Sequence, residues 1–309
     1  MFKFKKHEMS LVKKTFSIKD LENLSGIKAH TIRIWEKRYN LLSPERTQTN
    51  IRMYSLLSLQ KLLNITLLYE NGLKISKIAQ LTNEEIPLKV REIIDEKSIK
   101  NNMMNALKLS MINFDQNLFH NTYNQLVVDL SFREIFKDYF VPLLQELGYL
   151  WQTNTISTTH EHFITNFVKQ KVYTNTEKVQ RLEPVDPNKI FVLFLPENEV
   201  HELGILYLNY ELNLRGYKSI YLGQSVPIEN LEPLLANDNF IEFVTYATVE
   251  PSKEKIDKYI QRFKKKILNK KTSRLSVLGF QTQFIDLVNK PEQVGVYRGY
   301  KELIEDLNL

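Results

Sequence analysis

Cysteine is absent from all 309 residues. That absence excludes disulfides and thiolate metal sites, and it fits a cytoplasmic chain. No run of about 18 apolar residues occurs, so no transmembrane helix and no membrane partner are expected. Residues 1–14 lack an uninterrupted apolar core, which excludes a secretory signal. From residue 90 to 177 glycine and proline are almost missing, which favours uninterrupted helices there. Acidic charge is scarce at one end only. Residues 1–80 hold 15 Lys+Arg against 6 Asp+Glu, and the remainder holds 27 against 30. A basic head on a slightly acidic body is the electrostatic footprint of a small nucleic-acid-binding module. With 43% hydrophobic and 25% charged residues, the chain is long enough for two or three domains with their own cores.

The head opens on Phe16-Ser17-Ile18-Lys19-Asp20-Leu21. Ser17 can accept from the backbone at Asp20, and Asp20 suits the positive end of a helix. Leu21 and Leu24 continue a buried face, and Gly26 breaks the helix. A second helix is expected over residues 28–39. Helix, glycine-containing turn, helix is a helix-turn-helix arrangement, whose second helix enters the major groove. The stretch 42–54 is rich in polar and turn-forming residues, with Arg46 and Arg52 as phosphate-seeking groups. Two further helices are expected over residues 58–71 and 75–81.

Four amphipathic segments follow, at 99–112, 115–130, 132–152 and 158–173, with apolar residues recurring every three or four positions. A four-helix bundle is their natural package. After a polar linker around residues 180–188, the pattern alternates. Strands are expected at 190–195, 219–222, 243–247, 276–278 and 294–297. Helices are expected at 202–215, 228–236, 252–267 and 301–307. That alternation argues for a parallel sheet with right-handed crossovers.

Glu199-Val200-His201-Glu202-Leu203-Gly204 stands directly after the first of these strands. An imidazole on a loop at the carboxyl end of a strand is placed to meet a ligand over the sheet edge. Its nitrogen suits a transition metal. In the bundle, Trp151 is followed after nine residues by Glu161-His162. Taken alone, Trp151 reads as a core or boundary aromatic and His162 as an ordinary helix residue.

Residues 16–81 resemble the MerR-type winged helix-turn-helix domain. The match runs through Thr31-Ile32-Arg33-Ile34-Trp35-Glu36-Lys37-Arg38, Leu42-Ser43-Pro44-Glu45-Arg46-Thr47 and Ile51-Arg52-Met53-Tyr54. The resemblance implies DNA contacts from Thr31, Arg33, Lys37, Arg38, Arg46, Arg52 and Tyr54. The bundle and the alternating region together resemble the cobalamin-binding unit of methionine-synthase type. That resemblance implies His201 as the lower axial cobalt ligand and Glu199 as its hydrogen-bond partner. It implies Gly204, Gly223 and Gly279 beside the cofactor. The order of modules is similar to the cobalamin-dependent photoreceptor regulators of CarH/LitR type, which implies Trp151, Glu161 and His162 over the upper corrin face.

The expected whole is a multidomain α and α/β protein. It comprises a basic arm (1–14), a winged helix-turn-helix domain (15–86), a helical bundle (90–178) and a Rossmann-like parallel-sheet domain (188–309). No enzymatic activity is expected. The resemblance implies a homo-oligomeric regulator, dimer or tetramer, of a double-stranded DNA operator, controlled through cobalamin, with adenosylcobalamin and release of the DNA by light in the photoreceptors it resembles. Three positions depart from the family pattern. Tyr246 stands near a family Ser, Phe280 follows Gly279 where a second Gly is usual, and Gln152 follows Trp151 where a His is usual. These favour an alternative, a regulator that has lost cobalamin and answers to a partner protein or another ligand. A third reading is a corrinoid carrier subunit of a methyltransferase.

Overall fold

A short strand, β1 (Thr15–Ser17), precedes α1 (Ile18–Ser25) in the computed structural model, which describes residues 15–92, 96–153, 155–180, 183–236, 239–268 and 273–308. Ser17 caps α1 as expected, and the cap is reciprocal. Asp20 N–H donates to Ser17 Oγ (3.2 Å), and Ser17 N–H donates to Asp20 Oδ2 (2.8 Å). Gly26 closes the helix in the left-handed region, and α2 (Ala29–Tyr39) follows. Strands β2 (Glu45–Arg46) and β3 (Arg52–Ser55) form the wing. They join β1 in a three-stranded sheet, order β1-β3-β2. The capping signal at Ser17 hid β1, whose three residues are too few to alternate visibly. Then come α3 (Leu56–Glu70), α4 (Ile75–Ile78) and α5 (Glu85–Glu92). Ser55 caps α3, so this helix starts earlier than residue 58.

The bundle helices are α6 (Glu96–Asn113), α7 (Gln116–Asp129), α8 (Phe132–Ile135), α9 (Val141–Gln152) and α10 (Thr158–Val179). Residues 132–152 do run as one helix, interrupted by a π turn at Phe136–Phe140. Phe136, Tyr139 and Phe140 all point inward. Phe140 stacks on Phe119 and Tyr123. The head and most of the bundle form one unit ending at Phe167, and a second unit starts at Val168. Within the first, Asn23 Nδ2 donates to Thr155 Oγ1 (2.9 Å), tying α1 to the turn before α10.

In the second unit, strands β4 (Lys189–Phe194), β5 (Lys218–Gly223), β6 (Phe240–Tyr246), β7 (Ser273–Leu278) and β8 (Val294–Tyr297) form one sheet, all parallel, ordered β5-β4-β6-β7-β8. The helices are α11 (Leu203–Leu214), α12 (Ile256–Phe263) and α13 (Tyr300–Asp306). β4 is buried on both faces, as its unbroken apolar run requires. Val192 and Phe194 face one core with Ile256, Phe263 and Leu275. Phe191 and Leu193 face the other with Ile205, Leu208 and Leu303. The segment Ile228–Ala236 is a 3-10 helix rather than an α-helix, with Pro233 inside it. The 252–267 helix begins only at Ile256. Among the described residues no helix is long and apolar enough to cross a membrane.

Candidate metal centre and nucleic-acid interface

Although all strands run parallel, in a sheet of this order the sequence of strand addition reverses between β4 and β6. The loops leaving their carboxyl ends diverge and open a crevice, which is where open α/β sheets bind ligands. One side chain bridges the two loops. Glu199, which follows β4, has no exposed surface. Its Oε1 accepts from Val200 N–H (2.8 Å), His201 N–H (2.9 Å) and His201 Nδ1 (2.6 Å). Its Oε2 accepts from the backbone N–H groups of Thr248 (3.1 Å), Val249 (2.6 Å) and Glu250 (2.9 Å), which follow β6. Burial by itself would raise this carboxyl. The N–H donors of Val249, His201 and Glu250 outweigh it and hold the group at about 2.

An ionised carboxylate only accepts, so the His201 ring must donate from Nδ1. In the neutral imidazole that leaves the lone pair on Nε2. The His201 side chain is 53% exposed, so the site presents a fixed-tautomer nitrogen donor to the crevice. A carboxylate behind a ligating His is the usual way of fixing ring orientation and raising basicity at metal sites. Among the described residues no three His, Cys, Asp or Glu side chains come together to hold a metal. His201 therefore offers one donor, which suits a metal that arrives already chelated by its own cofactor. The surroundings suit an apolar macrocycle: Val200, Leu222, Val249 and Phe280 are exposed on the strand ends and loops of this edge.

The neighbouring Glu202 was not singled out by its sequence. Lys169 pairs with its Oε1 (2.8 Å) and Tyr221 donates to its Oε2 (2.9 Å), so α10 and β5 both grip the residue after His201. Nothing local marks this arrangement, because the partners lie far apart in the chain. The three backbone donors at 248–250 are equally invisible, since backbone groups carry no sequence signature.

The three expected cofactor glycines differ. Gly204, in the first turn of α11, leaves no free space: a Cβ there would lie 3.0 Å from Tyr246 Cε1. Gly279 is required by the backbone, with φ of 104° and Ala247 O 2.6 Å from where its Cβ would be. Gly223 ends β5 with a positive φ and open space around it. In α10, Glu161 is half-buried and His162 exposed, whereas His160 is buried, stacked on Phe114 and bonded to Ser157. The side chains of Trp151 and Gln152 lie outside the described residues.

On the head, Arg33, Lys37 and Arg38 are exposed on α2, Thr31 is half-buried, and Arg46 is exposed on the wing. Arg33, Lys37, Arg46 and Arg52 line a cleft of about 540 Å³ between α2 and the wing. Tyr54 corrects the expectation of a direct DNA contact. It is fully buried, and its hydroxyl donates to Glu36 Oε2 (2.9 Å). Arg52 Nε donates to the other oxygen of Glu36 (3.0 Å). An aromatic in the wing's central strand faces the core, so Tyr54 positions the wing rather than meeting DNA. Trp35 is also buried and packs edge-on against Tyr69.

Residues 16–85 match the family model of MerR HTH family regulatory proteins, and residues 103–174 match that of the B12 binding domain. Over 227 residues the chain is 24% identical to the HTH-type transcriptional repressor CarH of Myxococcus xanthus, covering 72% of this chain and 75% of CarH. It is 25% identical over 221 residues to the repressor CarA of the same organism, covering 71% of each. The chain is a homologue of these repressors. It carries a MerR-type DNA-binding head and a B12 binding domain. Among solved structures, the Methanosarcina barkeri monomethylamine corrinoid protein is similar at 13% identity and a TM-score of 0.47, covering 70% of this chain and 97% of that one.

Proposed function

We propose that this chain is a transcriptional regulator whose affinity for DNA is set by a corrinoid seated at the β4–β6 crevice, with His201 Nε2 as a cobalt ligand. The observation that carries the reading is the buried Glu199 carboxylate, which fixes the His201 tautomer while joining both loops of the crevice. A cobalt corrinoid would bring a metal already chelated by its own ring, and His201 Nε2 would be the protein nitrogen that holds it. Glu199 keeps the proton at Nδ1, and Val200, Leu222, Val249 and Phe280 would cover the macrocycle edge. Arg33, Lys37, Arg38 and Arg46 are the proposed DNA contacts, with Arg52 and Tyr54 setting the wing. The DNA partner is a double-stranded operator read by a dimer or tetramer, because modules of this kind pair on two half-sites. No catalytic role is proposed. The corrinoid changes DNA affinity only as far as it binds the DNA-competent and the other arrangement unequally.

The test is fluorescence anisotropy of the full chain on a DNA fragment selected by the protein from a random pool. Titrations are run with and without diaquacobinamide, aquacobalamin or adenosylcobalamin. A corrinoid-dependent change in DNA affinity that His201→Ala abolishes supports the reading. Protein that emerges colourless from desalting after every corrinoid overturns it. The finer reading, adenosylcobalamin with release of DNA by light, is tested by the same titration before and after illumination. An unchanged affinity removes it.

A further inference from the structure

The face of the ligand that meets His201 can be specified further, on the reading just proposed. Intact cobalamin carries its own lower base, a benzimidazole nucleotide tethered to the face of the macrocycle that His201 would approach. The cobalt has one axial position on that face. If His201 takes it, the nucleotide must be housed by protein on the same side. That side is bounded by the first turn of α11 and the carboxyl ends of β4 and β6.

The opening there is already filled from within the chain. The Tyr246 ring lies against Gly204, with Cε1 at 3.0 Å and Cζ at 3.1 Å from the position of a Gly204 Cβ. Tyr246 also packs on the core cluster that contains Phe191, Leu193, Ile205 and Val244. The Tyr300 backbone N–H donates to its hydroxyl. Moving the ring aside would strip these packing contacts, so the residue is a fixed part of the wall. A close-packed site of this kind tolerates added volume poorly.

We propose that Tyr246 is a specificity-determining plug, which makes this chain a receptor for a corrinoid without a lower nucleotide, of cobinamide type, and excludes intact cobalamin from the same seat. The plug acts by volume, and its hydroxyl contributes only to holding the ring in place.

The experiment compares dissociation constants for diaquacobinamide and aquacobalamin, from absorbance titrations of the full chain. Wild type, Tyr246→Ser, Tyr246→Phe and His201→Ala are measured, with thermal melts to establish that each is folded. Cobalamin must also give up its own base to bind through His201, so a preference for cobinamide alone does not isolate the plug. The decisive quantity is the change in the ratio. Tyr246→Ser is expected to tighten aquacobalamin about tenfold or more while leaving cobinamide nearly unchanged. Tyr246→Phe keeps the wild-type ratio, and His201→Ala loses the ligation-dependent shift of the cobinamide spectrum. A wild type that binds both ligands equally overturns the proposal. So does a folded Tyr246→Ser with an unaltered ratio, while cobinamide binding through His201 would leave the corrinoid reading intact. Binding of neither ligand by any variant overturns that reading, and the plug with it.

Discussion

A carboxylate with no exposed surface stays ionised only if enough donors replace its lost water, and Glu199 gathers six N–H groups. Its ionisation carries a stability signature. The folded-state pKa, near 2, lies below the ordinary 4.5. The stabilisation is therefore complete above about pH 4.5 and is lost as pH falls towards 2. Glu199→Gln replaces an acceptor with a donor against those N–H groups and costs about 2–4 kcal/mol. Urea denaturation of both proteins from pH 6 to pH 2 is expected to show a wide gap at the upper end that narrows towards the lower. A constant gap refutes the assignment. The family resemblance of the E-x-H segment implied this pair, and in the fold Nδ1 of His201 reaches the carboxylate two residues away. The donors at 248–250 stand 49 to 51 residues from it and left no trace.

Among the elements, α2 and the wing are held together by Glu36, which accepts from Arg52 and Tyr54 at once. Tyr54→Phe removes one of these bonds and is expected to cost about 1 kcal/mol. It should leave the salt dependence of DNA binding unchanged, because the ring is buried. A slope that falls in Tyr54→Phe would restore Tyr54 as a DNA contact. In the second unit, α11 and β6 meet at Gly204 and Tyr246. Gly204→Ala pushes a methyl group into the ring and is expected to cost about 1–3 kcal/mol. In a Tyr246→Ser background most of that cost should vanish, giving a coupling above about 0.5 kcal/mol in a double-mutant cycle. Additive effects would mean the two side chains do not meet. At this scale the start of α1 was legible from the local pair Ser17 and Asp20, whereas the cap at Ser55 was missed and α3 begins earlier than its apolar pattern indicated. The π turn at Phe136–Phe140 and the 3-10 segment around Pro233 were not legible, because each changes the helical period over too few residues to shift the pattern of apolar positions.

At the scale of the whole molecule, the positive charge gathered before residue 80 makes DNA binding an ion-exchange process. The affinity should fall linearly in a log–log plot against salt, and Arg33→Ala and Lys37→Ala should each lower the slope by about 1. An unaltered slope in either variant would remove that residue from the phosphate contacts. The sequence by itself determined the order of modules, the parallel sheet and the basic head, which depend on periodicity, capping and charge, and its family resemblance implied the Glu199–His201 pair. Only the tertiary structure decided that Tyr54 turns inward, that Lys169 and Tyr221 grip Glu202, and that Tyr246 occupies the space Gly204 leaves open. Those outcomes depend on which distant side chains the sheet order and the packed helices bring together, and no local pattern encodes that proximity.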